Sequence, residues 1–236
     1  MMASLEDRGY VLWSTSVNSD AREVLRQTVF RTGEAGTRCL LHVPAVSSVA
    51  RAIGRDLIDV GVLASGVAAI QAIAFDKSAD TNWKVTWHQD LMFPFDRPVC
   101  ADGYELASVK DGVDFARPPR AVLEDLLAVR VHLDDCDDDS GPLRVVPGSH
   151  RSGIIPSAAI QDYVASRGEI VCTAKEGEAL LMRPLLLHAS SKAVVPRHRR
   201  VLHLVYYSGA PIPEKWHRVV LPNQSELKCS GAMPSE

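Results

Sequence analysis

The sequence predicts a mainly β fold with flanking helices, and more specifically a double-stranded β-helix, or jelly roll. Short strand-like runs dominate the chain from about residue 69 onward. Turn formers, such as Ser140-Gly141-Pro142, separate these runs. Strands and helices do not alternate along the chain as they do in a parallel α/β sheet, so a sandwich or barrel is favoured.

Residues 1–68 are expected to contribute one strand and helices that pack outside the barrel. Gly9 to Trp13 looks like a short first strand. Ser19-Asp20 can cap a helix that continues to about Phe30. A second helical region begins at Pro44 and runs through Ile58, because apolar residues recur there three to four positions apart.

Residues 69–210 are expected to form the jelly-roll core. From about Ala69 the hydrophobic period changes to two, which places Gln71, Ile73, Phe75 and Lys77 on one face of a strand. Further strand-like runs are Val85 to Asp90, Leu127 to Asp134, Leu143 to Pro147, Ile170 to Thr173, Ala179 to His188 and Val201 to Tyr207, with short helices at Pro118 to Leu126 and Ala158 to Arg167. Residues 211–236 read as a C-terminal extension with a polar, poorly ordered tail, within a single domain of residues 1–236.

Composition excludes several classes of function. The chain has 236 residues, 46% hydrophobic and 23% charged, with a net charge of −3, which is typical of a globular protein with one sizeable core. Because no long basic block is present, nucleic acid is not an expected partner. The longest apolar stretch, Val60 to Phe75, is interrupted by glycine, serine and glutamine, and it falls short of the roughly 18 apolar residues of a membrane span.

Cysteine usage indicates a reducing compartment. The five cysteines are widely spaced, and none forms a Cys-x-x-Cys pair, so neither a zinc ribbon nor a disulfide framework is expected. The N-terminus lacks the apolar segment behind a basic start that a secretory signal contains. A cytoplasmic protein is therefore expected. Because neither a coiled-coil heptad nor an exposed apolar stripe is present, the oligomeric state stays open between monomer and homodimer.

The most informative motif is Trp87-His88-Gln89-Asp90, followed 98 residues after Asp90 by His188. Side chains at positions i and i+2 of a strand share a face, so His88 and Asp90 can grip one ion while Gln89 points away. Two imidazoles and one carboxylate form the facial triad that holds Fe(II) and leaves positions open for oxygen chemistry. Open positions are typical of catalytic rather than structural metal sites.

Four motifs in order, spread over about Gln71 to Tyr207, resemble the phytanoyl-CoA dioxygenase family, which includes the bacterial ectoine hydroxylases. The motifs are Phe75-Asp76-Lys77, Trp87-His88-Gln89-Asp90, the run from Gly141 to His150, and His188-Ala189-Ser190 followed by Arg199-Arg200. The resemblance implies an enzyme that uses Fe(II), 2-oxoglutarate and O2, with His88, Asp90 and His188 as the iron ligands.

The resemblance also implies a cosubstrate site. Arg199, eleven residues after His188, matches the arginine that pairs with the distal carboxylate of 2-oxoglutarate. Ser190 matches a hydroxyl that often joins it, and Lys77 matches a cosubstrate-binding lysine of the ectoine hydroxylase branch, although a lysine at a strand end is equally compatible with a surface position.

Substrate contacts are less well defined. Gln71 falls where the ectoine hydroxylase branch contacts its substrate, and His203 shares strand parity with Arg199, so both are weak candidates. Trp87 is another, although packing explains it more readily. The chain departs from its relatives after His88: where several carry a tryptophan near the cosubstrate, it reads Leu106-Ala107-Ser108.

A charge tally supports one arginine beside the metal. Iron(II), one aspartate and bound 2-oxoglutarate together leave one negative charge, which is expensive to bury uncompensated. A guanidinium suits this role because its planar fork donates two parallel hydrogen bonds to a carboxylate. Arg199 and Arg200 both qualify on charge, and on a strand their side chains face opposite ways.

The sequence therefore predicts an Fe(II)/2-oxoglutarate-dependent dioxygenase that hydroxylates, or otherwise oxidises, an unactivated C–H bond of a small molecule. Two alternatives stay open. One is a non-redox, cupin-like metal enzyme acting as a hydrolase or isomerase, which would have no need of Arg199. The other is a catalytically silent binding protein that keeps the barrel, although such proteins usually have a damaged triad.

Overall fold

The computed structural model of the protein describes residues 1–31 and 33–223. Its helices, α1–α5 in chain order, are Met2–Asp7, Ser19–Val29, Pro44–Asp59, Arg120–Glu124 and Ile160–Arg167. Its strands, β1–β13, are Tyr10–Ser14, Gly36–Thr37, Ala68–Lys77, Val85–His88, Phe93–Phe95, Glu105–Lys110, Val113–Arg117, Leu126–His132, Leu143–Val145, Ile170–Cys172, Glu178–Met182, His188–Ser190 and Arg199–Tyr207. The expected polar tail lies outside the described residues from Gln224 onward.

The strands form three antiparallel sheets. The main sheet has six strands in the order β1-β11-β8-β13-β3-β2, and the second has four in the order β10-β9-β12-β4. A small third sheet, β5-β7-β6, completes the β structure. The predicted mainly β jelly roll with flanking helices is confirmed.

Two hydrophobic clusters lie on opposite faces of the main sheet. The outer cluster packs α2 and α3 against the sheet, and its helical residues, such as Val46, Ile53 and Leu57, are fully buried. Along α3 the buried residues Val46, Val49, Ile53 and Leu57 recur three to four positions apart, and this spacing gives the helix one apolar face that packs on the sheet. The inner cluster joins the two larger sheets, with Leu143 and Val145 of β9 against Leu180 of β11. The interior of the jelly roll therefore lies between these sheets.

The first 68 residues do more than pack outside the barrel. β1 pairs with β11, and β2 pairs with β3, so both strands form edges of the main sheet. The helix predicted after Ser19-Asp20 is α2, and its N-cap is Asn18 rather than Ser19 or Asp20. The Asn18 side chain accepts a hydrogen bond from the Ala21 amide at 2.9 Å. The second helix begins at Pro44 as predicted.

Two further differences from the predicted strands concern the centre of the chain. The single run expected from Ala179 to His188 is divided into β11 and β12, which belong to different sheets. The hairpin of β6 and β7 was not predicted at all. No helix in the described part of the chain is both long enough and apolar enough to cross a membrane.

Gly141 fixes the turn that leads into β9. Its φ is +65°, a left-handed conformation that favours glycine. A side chain there would also collide with backbone, since a Cβ would lie 2.6 Å from the Ser191 carbonyl oxygen and 3.0 Å from the Ala193 nitrogen. Gly141 therefore permits the close approach of this turn to the segment that follows β12.

Gly141→Ala is expected to destabilise the protein more than Gly112→Ala, measured by urea unfolding. Gly112 also has a positive φ, +74°, but a Cβ there meets nothing within 4 Å, so it reports the conformational cost alone. That cost is about 1–2 kcal/mol, and Gly141→Ala adds the backbone collision to it. Equal losses of unfolding free energy in the two variants would contradict the close approach.

Candidate active site

His88, Asp90 and His188 converge at one point between the sheets. His88 of β4 and His188 of β12 are direct partners in the antiparallel register, and Asp90 follows the end of β4. The Nε2 atoms of His88 and His188 lie 3.7 Å from Oδ1 and Oδ2 of Asp90, respectively. One candidate ligand atom from each residue lies within 4.8 Å of the other two, a spacing suited to a shared metal ion.

Both imidazoles are held in the orientation that a metal requires. The Nδ1 atom of His88 lies 2.9 Å from the Thr86 carbonyl oxygen, and that of His188 lies 2.9 Å from the Leu186 carbonyl oxygen. Since a carbonyl only accepts, Nδ1 carries the proton in each ring and Nε2 keeps its lone pair. Such a bond to the second nitrogen fixes tautomer and ring orientation at metal sites.

The protonation states of the triad also suit a cation. Burial lowers the pKa of His188 to about 3, with His88 adding to the effect, so this imidazole is neutral at pH 7. Burial alone would raise the pKa of Asp90, but His188 and His203 outweigh it and bring the value to about 2. The site therefore presents a carboxylate and an uncharged buried imidazole at neutral pH.

Gln89, between the two ligand candidates, points away from them as predicted. Its side-chain nitrogen donates to the carbonyl oxygens of Gly153 at 2.8 Å and Leu185 at 2.6 Å, and its oxygen accepts from the Ile155 amide at 2.8 Å. These buried hydrogen bonds tie the end of β4 to the segment before β12. Gln89 thus fixes the position of Asp90 relative to His188.

The Pro-Gly-Ser-His turn supports the same region. The Ser149 hydroxyl is buried and accepts a hydrogen bond at 2.8 Å from the amide of Leu187, the residue before His188. His150, expected to tie down a turn, has its Nε2 3.1 Å from the carbonyl oxygen of Glu6 in α1. The motif therefore acts on the site through the backbone.

The triad opens into a cavity of about 480 Å³, within the range of small-molecule sites. Apolar side chains, among them Ile73, Phe75 and Leu143, line much of it. Leu106 and Lys110 of β6 also reach it, so the unpredicted hairpin supplies one wall. Leu106 thus stands on the wall of the cavity, in the segment where a tryptophan was expected from the relatives.

Arg199 is a buried cation beside this cavity. It is 2% exposed, and its Nε and Nη1 atoms have no hydrogen-bond partner in the described structure. Its guanidinium contacts the Cys136 thiol, whose pKa is raised by burial, so the thiol contributes no negative charge. Arg200 faces the other way and forms a bidentate pair with Asp134 at 2.8 and 2.9 Å.

Lys77 pairs with Arg199 in the register between β3 and β13, and it is fully buried rather than at the surface. Its Nζ donates to the Ser190 hydroxyl at 3.2 Å and to the Ser191 carbonyl oxygen, and it lies 5.4 Å from the Trp83 ring centroid. Burial, with repulsion from Arg199, lowers the pKa of Lys77 to about 7. Lys77, Ser190 and Arg199 therefore form one polar group next to the triad.

The three weak substrate candidates separate into two groups. Gln71 and His203 both line the cavity, and the Gln71 Oε1 atom is buried without a partner. Trp87 does not line it, because its side chain lies on the opposite face of β4. There it packs against the cluster of Val146 and Leu187, 5.2 Å from the Arg144 guanidinium.

One functional candidate was missed by sequence reasoning. Arg130 of β8 is 7% exposed, lines the cavity, and donates through Nη1 to Nδ1 of His203 at 3.2 Å. Its Nε atom has no hydrogen-bond partner among the described residues. The available signal was an arginine in a strand whose only other polar residue is His132, because a buried charge needs a counter-charge that a neutral histidine does not supply.

The profile of the family described as Phytanoyl-CoA dioxygenase (PhyH) matches residues 4–201. The chain belongs to this family. The family predicted from the sequence is therefore confirmed.

Individual relatives are distant. The L-proline trans-4-hydroxylase of Streptomyces griseoviridis is 28% identical over 35% of this chain, and the match covers 40% of that relative's length. EctD from S. alaskensis with bound Fe has a TM-score of 0.61 at 18% identity, covering 88% of this chain and 75% of its own. HygX from Streptomyces hygroscopicus, with nickel and 2-oxoglutarate bound, has a TM-score of 0.58 at 15% identity, covering 86% and 84%. These two structures share the fold.

The buried histidines make the metal-free protein acid-sensitive. Burial, with repulsion from Arg130 and Arg199, lowers the pKa of His132 to about 3. In the unfolded chain a histidine titrates near 6.5, so below that pH the unfolded state binds a proton that the folded state refuses. The unfolding free energy therefore falls as pH drops from about 6.5 toward 3, by about 1.4 kcal/mol per pH unit for each such histidine.

We expect His132→Asn to remove the proton that the unfolded chain binds at position 132 and the folded protein does not. Urea unfolding of the chelator-treated protein at pH 7, 6 and 5 should give a shallower loss of stability in the variant, by about 1.4 kcal/mol per pH unit below 6. Parallel pH profiles for the two proteins would show that His132 is protonated equally in both states.

Proposed function

We propose that this chain is an Fe(II)/2-oxoglutarate-dependent dioxygenase that hydroxylates an unactivated C–H bond of a small molecule. In the balanced reaction, O2 gives one oxygen atom to the substrate C–H bond and the other to succinate, while 2-oxoglutarate loses CO2. The observation that carries the proposal is a two-histidine, one-carboxylate cluster sharing a cavity with a buried guanidinium that has two unpaired nitrogens.

The donor set fits iron. Two neutral imidazole nitrogens and one carboxylate are the ligands of the facial triad of non-haem Fe(II) oxygenases. His88, Asp90 and His188 would hold the metal, and their Nδ1 bonds and the Gln89 contacts keep the three groups aimed at one point. Bound there, iron(II) supplies the redox chemistry that activates O2.

The second polar group fits 2-oxoglutarate. Arg199 would pair with its distal carboxylate, because two free N–H groups on one planar fork match a carboxylate bidentately. Lys77 is the register partner of Arg199, and its Nζ donates to the Ser190 hydroxyl. These two residues would add an ammonium and a hydroxyl to the 2-oxoglutarate site. The pair that Arg200 forms with Asp134 on the other face of β13 supports Arg199 rather than Arg200 in this role.

The rest of the cavity would hold a compact substrate. Ile73, Phe75 and Leu143 offer apolar contacts, and the unpaired Gln71 oxygen is free to accept a hydrogen bond from the substrate. The named relatives support this size: one is a proline hydroxylase, and EctD has been solved with 2-oxoglutarate and 5-hydroxyectoine. We place the whole chain, residues 1–236, in one cytoplasmic oxygenase domain acting as a monomer or homodimer.

The alternative classes explain less of the site. A non-redox hydrolase or isomerase with the same metal ligands leaves the unpaired Arg199 without a role. A silent binding protein leaves no reason to orient both histidines for metal binding through backbone carbonyls. The oxygenase accounts for both features.

An anaerobic titration tests the proposal. With Fe(II) and 2-oxoglutarate, the wild-type protein should develop the weak visible charge-transfer band of the chelate. Arg199→Gln should weaken 2-oxoglutarate binding by about 30-fold or more, because a buried carboxylate would lose its charged partner at about 2–5 kcal/mol. Arg200→Gln is the matched control, and its titration should follow the wild type.

Two results would count against the proposal. They are the absence of the band in the wild type and equal 2-oxoglutarate affinity in Arg199→Gln and wild type. Thermal unfolding of each variant separates loss of a ligand from loss of the fold. Succinate release in air across a panel of metabolites then tests turnover.

A further inference from the structure

A second buried guanidinium in the cavity has no assigned ligand. Arg130 and Arg199 lie on the neighbouring strands β8 and β13, and both face the same cavity. Within residues 1–31 and 33–223, neither forms a salt bridge, and both have unpaired guanidinium nitrogens. 2-Oxoglutarate would satisfy Arg199. The charge of Arg130 would therefore have to be neutralised by a different anion.

Arg130 is held rigidly for such a role. Its Nη1 donates to Nδ1 of His203, and its guanidinium carbon lies 5.4 Å from the ring centroid of Phe75. Phe75 and His203 in turn pack edge to face, with ring centroids 6.1 Å apart. The side chain is thus fixed on two sides while its Nε remains free. A preformed donor of this kind needs little ordering when a ligand binds.

His203 connects Arg130 to the triad without compensating its charge. Because an arginine only donates, Nδ1 of His203 must accept, and the ring proton resides on Nε2, which faces Oδ2 of Asp90 at 4.0 Å. His203 is therefore neutral in this arrangement. Only the His203 ring lies between Arg130 and Asp90, the proposed metal ligand. If one group of a compact substrate binds Arg130, the rest of that substrate therefore lies beside the triad.

Charge balance gives the sign of the missing group. Iron(II), the Asp90 carboxylate, 2-oxoglutarate and the Arg199 guanidinium sum to zero when all are present. Arg130 adds one full positive charge to a cavity where uncompensated charge is costly. Lys77 can only add to the excess. The Cys136 thiol does not reduce it, because burial keeps it protonated.

We propose that Arg130 is a specificity-determining residue that binds an anionic oxygen group, carboxylate or phosphate, of the substrate. This inference rests on the proposed oxygenase function and narrows its substrates to small acids. Neutral analogues of the same shape are poor ligands because they leave the guanidinium buried and unpaired.

Matched ligand pairs test the proposal on the intact protein with Fe(II) and 2-oxoglutarate under argon. One arm of the panel pairs small carboxylic acids with their primary amides, including L-proline with L-prolinamide. The other arm pairs phosphate monoesters with the parent alcohols. Calorimetric affinity and perturbation of the visible band are both recorded, so the readout does not depend on turnover.

We expect the acids that bind wild type to be favoured over their neutral partners by at least about tenfold. Arg130→Gln should abolish this preference, so that acid and amide bind alike, while 2-oxoglutarate still produces the band. Arg130→Lys should restore part of the preference, which a purely structural role would not predict. Arg200→Gln keeps the wild-type preference and serves as the control. The arm that responds identifies carboxylate or phosphate.

Several outcomes overturn the proposal. They are amides that bind as tightly as acids, an acid preference that survives in Arg130→Gln, and a panel in which no acid binds. Loss of the 2-oxoglutarate band in Arg130→Gln but not in Arg199→Gln would reassign Arg130 to the cosubstrate. If Arg130→Gln fails to fold, the acid and amide comparison on wild type and Arg130→Lys decides. Absence of the band in wild type, by contrast, refutes the oxygenase itself.

Discussion

The site depends on positive charge buried on one face of the main sheet. Lys77, Arg199 and Arg130 stand on the adjacent strands β3, β13 and β8, and all three are withdrawn from water. Within the described chain, Asp90 is the carboxylate that faces this interior from the other sheet. Buried charges without partners are expensive, and a folded protein tolerates them where a ligand completes them. The three buried cations therefore give the cavity a positive electrostatic potential, which anionic ligands can neutralise.

Strand alternation separates this functional charge from structural charge within a single dipeptide. Arg199 faces the cavity with two unpaired nitrogens, whereas Arg200 faces outward and is saturated by Asp134. The same period of two places Trp87 and His88 on opposite faces of β4: His88 lines the cavity, and Trp87 packs against Val146 and Leu187. Alternation predicts that the two members of each pair face opposite ways, but it does not say which member faces the cavity. The family resemblance favoured Arg199 over Arg200, and Trp87 stood among the weak substrate candidates until its place in the fold was known.

Other features depend on pairings between distant segments, which periodicity does not encode. Arg130 could be recognised as a charge in an apolar strand, but its place in the cavity follows from the register of β8 against β13. The division of the run from Ala179 to His188 between two sheets, and the hairpin that brings Leu106 to the cavity wall, likewise arise from tertiary structure. From the sequence, Lys77 is equally compatible with a cosubstrate contact inside the barrel and with a surface position. Its burial follows from the register that pairs it with Arg199.

The shared field has a consequence for the order in which ligands bind. Burial lowers the pKa of Arg130, and repulsion from Arg199 lowers it further, so the two guanidiniums interact unfavourably through the same low-dielectric interior. A metal ion arriving first would meet this repulsion but gain the Asp90 carboxylate, and it would raise the positive potential that attracts both anions. An anion at Arg199 then removes part of the repulsion between Arg199 and Arg130, but it also weakens the positive potential that attracts the second anion.

Because such couplings are reciprocal, each ligand's affinity depends on which others are present. The protein gains stability with each ligand, by about 2.7 kcal/mol at a concentration of 100 times its Kd. Occupancy of the cavity and stability of the fold are thus coupled through the same three buried cations.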